Sequence, residues 1–392
     1  MKRFIALAIA VVMVAACFAA CGKTDADSNN TGSSKDEKEF LIGGIGPLTG
    51  AAAVYGTAVK NGAQLAIDEI NAAGGVNGMK LAMNFQDDEH NAEKAINAYN
   101  VLKDAGAKLL MGTVTSAPCI AVAELTAQDN MFQITPSGSA VDCVAEPNAF
   151  RICFSDPDQG AASAQYIADH NVASKVAVIY DSSDVYSTGI YGTFKTMAAE
   201  KNLEIVSEQS FTSSNNTDFS VAIDAIKNSG AELVFLPIYY QQAALILTQA
   251  KQAGFSGKFF GCDGLDGVIK QLGDDAAVAE GVMLLTPFAA DAKDEKTQKF
   301  TAAYQAAFNG ETPIQFAADA YDAIYTIKAA LEKAEITDPS IDVSDLCDKL
   351  EAAMVEITVD GVTGEMTWNE NGEPTKPAKA MIIKDGAYSA VD

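Results

Sequence analysis

Short apolar runs of strand character alternate with amphipathic helical stretches from residue 40 to residue 261, and few folds accommodate that alternation. FLIGGIG, LAMNF, KLLMG and MFQIT are each bounded by polar or glycine-rich turns. Between the first two, Val59, Ala63, Ala66, Ile67 and Ile70 share one helical face, and Gly74-Gly75 punctuates its end. After Arg151 the rhythm restarts with KVAVIYD, a helix near Ser187 to Lys201, LEIVSE, a helix near Phe219 to Asn228, ELVFLP, a helix near Gln241 to Ala253, and KFFG. Strand–helix alternation predicts parallel sheets, so the chain reads as two α/β units in series. Beyond Val282 the periodicity turns helical in AAYQAAF, FAADAYDAIYTIKAALEKA and DLCDKLEAAM, before short strands near Met366 and Ala380. Helices placed after the second unit predict that the chain returns to the first.

The N-terminus has a different character. Lys2 and Arg3 precede an unbroken apolar run from Phe4 to Ala20, followed by Cys21 and Gly22, which reads as an export signal over residues 1–20. Small residues ahead of Cys21 resemble a bacterial lipobox, whose cysteine is acylated and becomes the new N-terminus. Cys17 also fits the pattern, but Phe18 to Ala20 would then remain as an apolar stub, so Cys21 is preferred. Gly22 to Glu39 hold no apolar side chain larger than alanine, so residues 21–39 are read as a lipidated flexible tether, about 23 Å in root-mean-square span over the 18 residues after Cys21.

A net charge of −25 excludes nucleic acid as a partner, because its phosphates would repel such a surface. Five cysteines lie beyond the signal, Cys119, Cys143, Cys153, Cys262 and Cys347, without a CxxC pair, so no metal site is expected. Cys119 and Cys143 flank MFQIT, and in an exported protein they form a candidate disulfide.

Catalytic and cofactor motifs fail on spacing. GGIGPLTG follows a strand, but its glycines are not those of a dinucleotide fingerprint and Pro47 interrupts the helix start, so it is read as a tight turn. No GxSxG elbow or P-loop is present, and His90 and His170 sit in no triad. Asp87-Asp88-Glu89-His90 is read as a solvated loop rather than a metal site. What remains is polar residues where strands end: Thr115-Ser116, Thr135 to Ser139, Tyr186, Tyr239 and Asp263. The carboxyl edge of an α/β sheet is where ligands bind, and five such segments point to a binding cleft without an enzyme's machinery.

Several blocks together resemble the branched-chain amino-acid-binding proteins, the leucine/isoleucine/valine-binding family of type I periplasmic binding proteins. They are IGPLTG with AVYG and GAQLAIDEINAAGGVNG, then ITPSGSA, NAFRICFSDPDQG, LILTQAKQAGFSGKFFGCDG, and MTWNENGE. The resemblance implies two doubly wound parallel-sheet lobes joined by a three-crossover hinge, with residues 38–155 plus 287–365 as lobe 1 and 156–286 plus 366–392 as lobe 2. It also implies a ligand carboxylate held at Ser116, Ser137 and Ser139, an ammonium held by Asp263, and a wall of Tyr55, Tyr186 and Tyr239.

This sequence departs from the best-known members at several of those positions. Asp263 stands for their glutamate, Ser139 for a threonine, Leu265 for a tryptophan common after the acid, and His90 and Thr115 for the cysteines of the enteric members' disulfide. The function implied is the amino-acid-binding, cofactor-free, monomeric component of an ABC importer, held at the outer face of a bacterial membrane and docking on permease subunits. An amide- or urea-type solute, or a sensory role for a membrane receptor, are the alternatives.

Overall fold

The computed structural model describes residues 38–376 and 378–391. The export signal, the acylation site at Cys21 with its alternative Cys17, and the tether up to residue 37 lie outside the described residues. The tether ends sooner than expected, because Glu39 already opens the first strand. No helix among the described residues is long and apolar enough to cross a membrane.

The first unit runs β1 (Glu39–Gly46), α1 (Ala53–Ala72), β2 (Lys80–Asp87), α2 (Ala92–Asp104), β3 (Leu109–Met111), α3 (Ser116–Asp129), β4 (Gln133–Thr135) and β5 (Ala149–Arg151). Its strands form one parallel sheet in the order β2-β1-β3-β4-β5. The central strands β3 and β4 are buried at every residue, as a parallel strand covered by helices on both faces must be. Asn91 caps α2 by accepting from Lys94 N at 3.0 Å, and Lys103 in the last turn complements the helix dipole.

The second unit runs α4 (Asp156–Asp169), β6 (Lys175–Asp181), α5 (Val185–Glu200), β7 (Glu204–Phe211), α6 (Ser220–Ser229), β8 (Leu233–Leu236), α7 (Tyr240–Gln252), β9 (Lys258–Gly261), α8 (Val268–Leu272) and β10 (Met283–Thr286). After it come α9 (Glu295–Ala307), α10 (Gln315–Lys333), α11 (Val343–Met354), the hairpin β11 (Val359–Gly361) and β12 (Gly364–Met366), and a second hairpin of β13 (Lys379–Lys384) and β14 (Ala387–Ala390). The second sheet has the order β14-β13-β10-β9-β8-β6-β7, parallel from β10 to β7, with β13 and β14 added antiparallel at its edge.

The expected architecture is therefore present: two α/β lobes, each with its own parallel sheet, and a chain that crosses between them three times. The crossings follow β5, β10 and β12. As anticipated, α10 returns to pack along α1; Gly62 is required there, since a Cβ would meet the Ala317 carbonyl at 2.0 Å. One expectation needs correction. Residues after Val282 are not helical at once, because Met283–Thr286 form β10, a short buried strand between Gly281-Val282 and Pro287.

Polar side chains tie the crossings together inside the protein. Lys376 Nζ, fully buried, lies 2.8 Å from Asp319 Oδ1 on α10 and donates to Ile152 O at 2.9 Å. Trp368 Nε1 donates to Arg151 O at 2.8 Å. These bonds join the first and third crossings to lobe 1.

Candidate functional site

Each sequence-predicted site residue stands at the end of a strand or the start of a helix. Ser116 opens α3 just past β3, and no side chain caps that helix, so its first amide groups and dipole are available to an anion. Ser116 Oγ accepts from Ala140 N at 3.2 Å, which leaves its hydroxyl proton free to donate. Ser137 Oγ donates to Val114 O at 2.7 Å, and Thr135 Oγ1 accepts from Gly138 N at 2.7 Å, which fixes the turn after β4. Ser139 Oγ is buried and has no hydrogen-bond partner.

That serine loop is held from behind by Arg151. The guanidinium is fully buried and donates to four successive carbonyls: Gly138 at 3.1 Å, Ser139 at 2.5 Å, Ala140 at 3.0 Å and Val141 at 3.3 Å. Its Nε lies 3.1 Å from the Glu373 carboxylate on the third crossing. A planar fork with five donors suits a tight turn whose carbonyls converge, whereas a lysine could not satisfy them all.

The other lobe supplies the opposite chemistry. Asp263 lies two residues past the end of β9, is buried, and accepts from Tyr186 Oη at 2.6 Å. Tyr186 Oη in turn accepts from Gly264 N at 2.9 Å. Gly264 has to be glycine, since a Cβ would sit 2.6 Å from the Tyr186 hydroxyl and 2.8 Å from Ile238 O. Burial, partly offset by the Tyr186 hydrogen bond, raises the Asp263 carboxyl to about 7. Tyr186 is positioned by Asp184, which caps α5 by accepting from Tyr186 N at 2.9 Å.

Aromatic rings close the sides. Tyr239 stacks on Tyr186 at 4.7 Å and meets Tyr55 edge-on at 5.9 Å, while Tyr55 stacks on Phe316 at 4.1 Å. Tyr55, from α1 in lobe 1, donates its hydroxyl to Gly264 O at 2.5 Å and accepts from Tyr240 N at 3.1 Å, both in lobe 2. Tyr55 thus bonds the lobes together across the cleft, and beside it Val54 N donates to Tyr240 Oη at 3.3 Å.

Tyr55, Ser116, Ser137, Ser139, Tyr186, Tyr239 and Asp263 all line one cavity of about 10 Å³ between the lobes. Thr115, flagged with Ser116 at the end of a strand, lines it too, and Val114, Gly264 and Phe316, which were not singled out in the sequence, complete it. Phe316 belongs to an amphipathic helix, where an aromatic residue reads as core; its place at the second residue of α10 is the local signal that was available. Leu265 is fully buried and does not line the cavity.

His90 Nδ1 and Thr115 Oγ1 lie 2.8 Å apart and link the β2–α2 loop to the start of α3. The acidic run next to them serves a turn. Asp87 accepts from Leu48 N at 2.8 Å and from the Thr49 hydroxyl at 2.7 Å, clamping the glycine-rich loop.

The anticipated Cys119–Cys143 disulfide is not formed. Both are free, fully buried thiols in one cluster behind the serine loops. Each sulfur has a polar partner instead: Cys143 donates to Ser116 O at 3.7 Å, and Cys119 accepts from Gln133 Nε2 at 3.5 Å.

Comparison with known proteins gives consistent matches over nearly all of the described chain. Residues 39–387 match the family described as "Periplasmic binding protein". The Leu/Ile/Val-binding protein homolog 3 of Brucella melitensis is 30% identical over 349 residues, covering 87% of this chain and 90% of that protein. The leucine-, isoleucine-, valine-, threonine-, and alanine-binding protein of Pseudomonas aeruginosa is 29% identical, covering 84% and 85%. Among solved structures, the branched-chain amino acid transporter substrate binding protein LivJ of Streptococcus pneumoniae, in complex with isoleucine, superposes with a TM-score of 0.81 at 27% identity, covering 90% of this chain and 99% of that one.

Proposed function

Since the chain belongs to the periplasmic binding protein family, we propose that it is the extracytoplasmic solute-binding component of an ABC importer and that its cleft closes on an amino acid with an apolar side chain. The observation that carries this reading is the opposed polarity of one cavity. Serine hydroxyls and an uncapped helix N-terminus face it from lobe 1, and a buried carboxylate faces it from lobe 2. A zwitterion matches both ends: its carboxylate takes Ser116, Ser139 and the α3 amides, joined by Ser137 once its hydroxyl turns from Val114 O, and its ammonium takes Asp263. Tyr55, Tyr186 and Tyr239 wall its side chain.

An amino acid does not fit in about 10 Å³, so it enters only when the lobes part and the Tyr55 bonds to Gly264 and Tyr240 break. In this reading residues 38–155 with 287–365 form one jaw, and 156–286 with 366–392 the other. No covalent step is needed. The ligand is released to permease subunits, and a monomer held at the outer membrane face by acylated Cys21 and its polar tether presents it there. The branched-chain ligands of the relatives support an apolar side chain here.

Native mass spectrometry of the protein mixed with the twenty amino acids tests this reading. It predicts a one-to-one complex that releases an amino acid of unchanged mass. Release of a chemically altered product would identify an enzyme instead.

A further inference from the structure

A roomier cavity among the described residues is distinct from the amino-acid cleft. It has a volume of about 560 Å³ and lies on the other side of the turn that carries Asp263, walled by residues of both lobes. Val54 beside Tyr55 and Tyr304 of α9 come from lobe 1, and Ile269, Met381 and Tyr388 come from lobe 2. The size is that of a site for a drug-sized molecule, where a mostly apolar wall and a few placed polar groups are the rule.

One polar group in that wall is conspicuous. Asp266, three residues after Asp263, is buried; its Oδ2 accepts from Gln315 N at 2.7 Å at the start of α10, and its Oδ1 has no hydrogen-bond partner. A buried carboxylate oxygen without a donor is costly, and a ligand that supplies one removes the cost. The charge around the cavity has one sign in excess. Asp266, Asp291 and Glu311 line it with Lys270 as the single cation, and Lys270 is already paired with Glu311 at 2.5 Å.

The geometry points to a second binding site here, for an organic cation with an apolar body, such as an arylalkylamine, whose ammonium pairs with Asp266 while its hydrocarbon lies against Val54, Ile269, Met381 and Tyr388. Because the walls come from both lobes, the occupant contacts the closed arrangement more fully than an open one and favours closure. The site is separate from the amino-acid cleft and does not depend on what that cleft binds.

The test is calorimetry of the purified full-length protein with 2-phenylethylamine, at pH 8 so that Asp266, which burial raises to about 7, is ionised. Asp266→Asn keeps an acceptor for Gln315 N and removes the charge; Ala387→Trp fills the exposed mouth of the cavity. The proposal predicts saturable one-to-one binding, at least tenfold weaker in Asp266→Asn and lost in Ala387→Trp, and not displaced by excess L-leucine. Absence of binding up to 10 mM would overturn it. So would equal binding to both variants, or competition by L-leucine, which would put the amine in the amino-acid cleft. Circular dichroism melting of each variant separates a lost site from a lost fold.

Discussion

The Tyr186 hydroxyl donates to Asp263 Oδ1 at 2.6 Å while accepting from Gly264 N at 2.9 Å, so one phenol both fixes the rotamer of the acid and orients its own proton toward it. Asp263 therefore faces the cleft pre-positioned, and a ligand ammonium has to reach it without reorganising the wall.

That pre-positioning makes Asp263→Asn informative. An amino acid should lose about 2–5 kcal/mol of binding free energy when the partner of its ammonium loses charge. A neutral amide or urea should lose far less, because an asparagine still offers it a hydrogen bond. Titration calorimetry of the variant with the best wild-type ligand separates the two cases.

Binding should also depend on pH, with a sign fixed by burial. In the empty protein the Asp263 carboxyl is raised to about 7, so below that value it holds a proton that an ammonium ligand has to displace. Affinity is predicted to rise roughly tenfold per pH unit between pH 5 and 7 and to level off above, with one proton released on binding under acidic conditions. Affinity that stays flat from pH 5 to 8 contradicts the assignment of Asp263 to the ammonium.

Arg151 should matter for stability and, through the loop, for affinity. Arg151→Met leaves four buried carbonyls and Glu373 without their donor, and is expected to cost about 3–5 kcal/mol in urea unfolding. Ligand affinity should fall as well, since Ser139 sits on that loop. A loss below 1 kcal/mol would mean that water replaces the guanidinium there.

The frame of this fold was legible because physics writes it locally. KVAVIYD and ELVFLP are near-continuous apolar runs, as strands buried on both faces have to be, and Gly74-Gly75 closes α1 where the pattern says it should. Serines and tyrosines at strand ends were legible for the same reason, since sheet topology brings those ends to one edge. Phe316 was not, because its place in the cleft depends on α10 crossing back over α1, which no local pattern records. Nor was Arg151 legible as a clamp: a lone arginine in NAFRICF gives no hint that four carbonyls from residues 138–141 will converge on it. Met283–Thr286 is four residues long between turn formers, too short for its period to stand out from the helices that follow.

The cysteines offer a check on the corrected disulfide. All five described thiols are buried and free, so the native protein should show none of them labelled by maleimide, and all five labelled after denaturation without a reductant. Two thiols that stay blocked until reduction would reinstate a bridge between Cys119 and Cys143.

The central claim is that the cleft between the lobes holds an intact amino acid by its two charged ends. Titration calorimetry of the unliganded protein against each of the twenty amino acids tests it most directly. The account predicts one-to-one binding of at least one apolar amino acid with a dissociation constant near 1 μM or tighter, about −8 kcal/mol, and at least a hundredfold loss when its α-carboxylate is amidated. If no amino acid binds more tightly than 1 mM, or if the amidated form binds equally well, the cleft is not an amino-acid receptor.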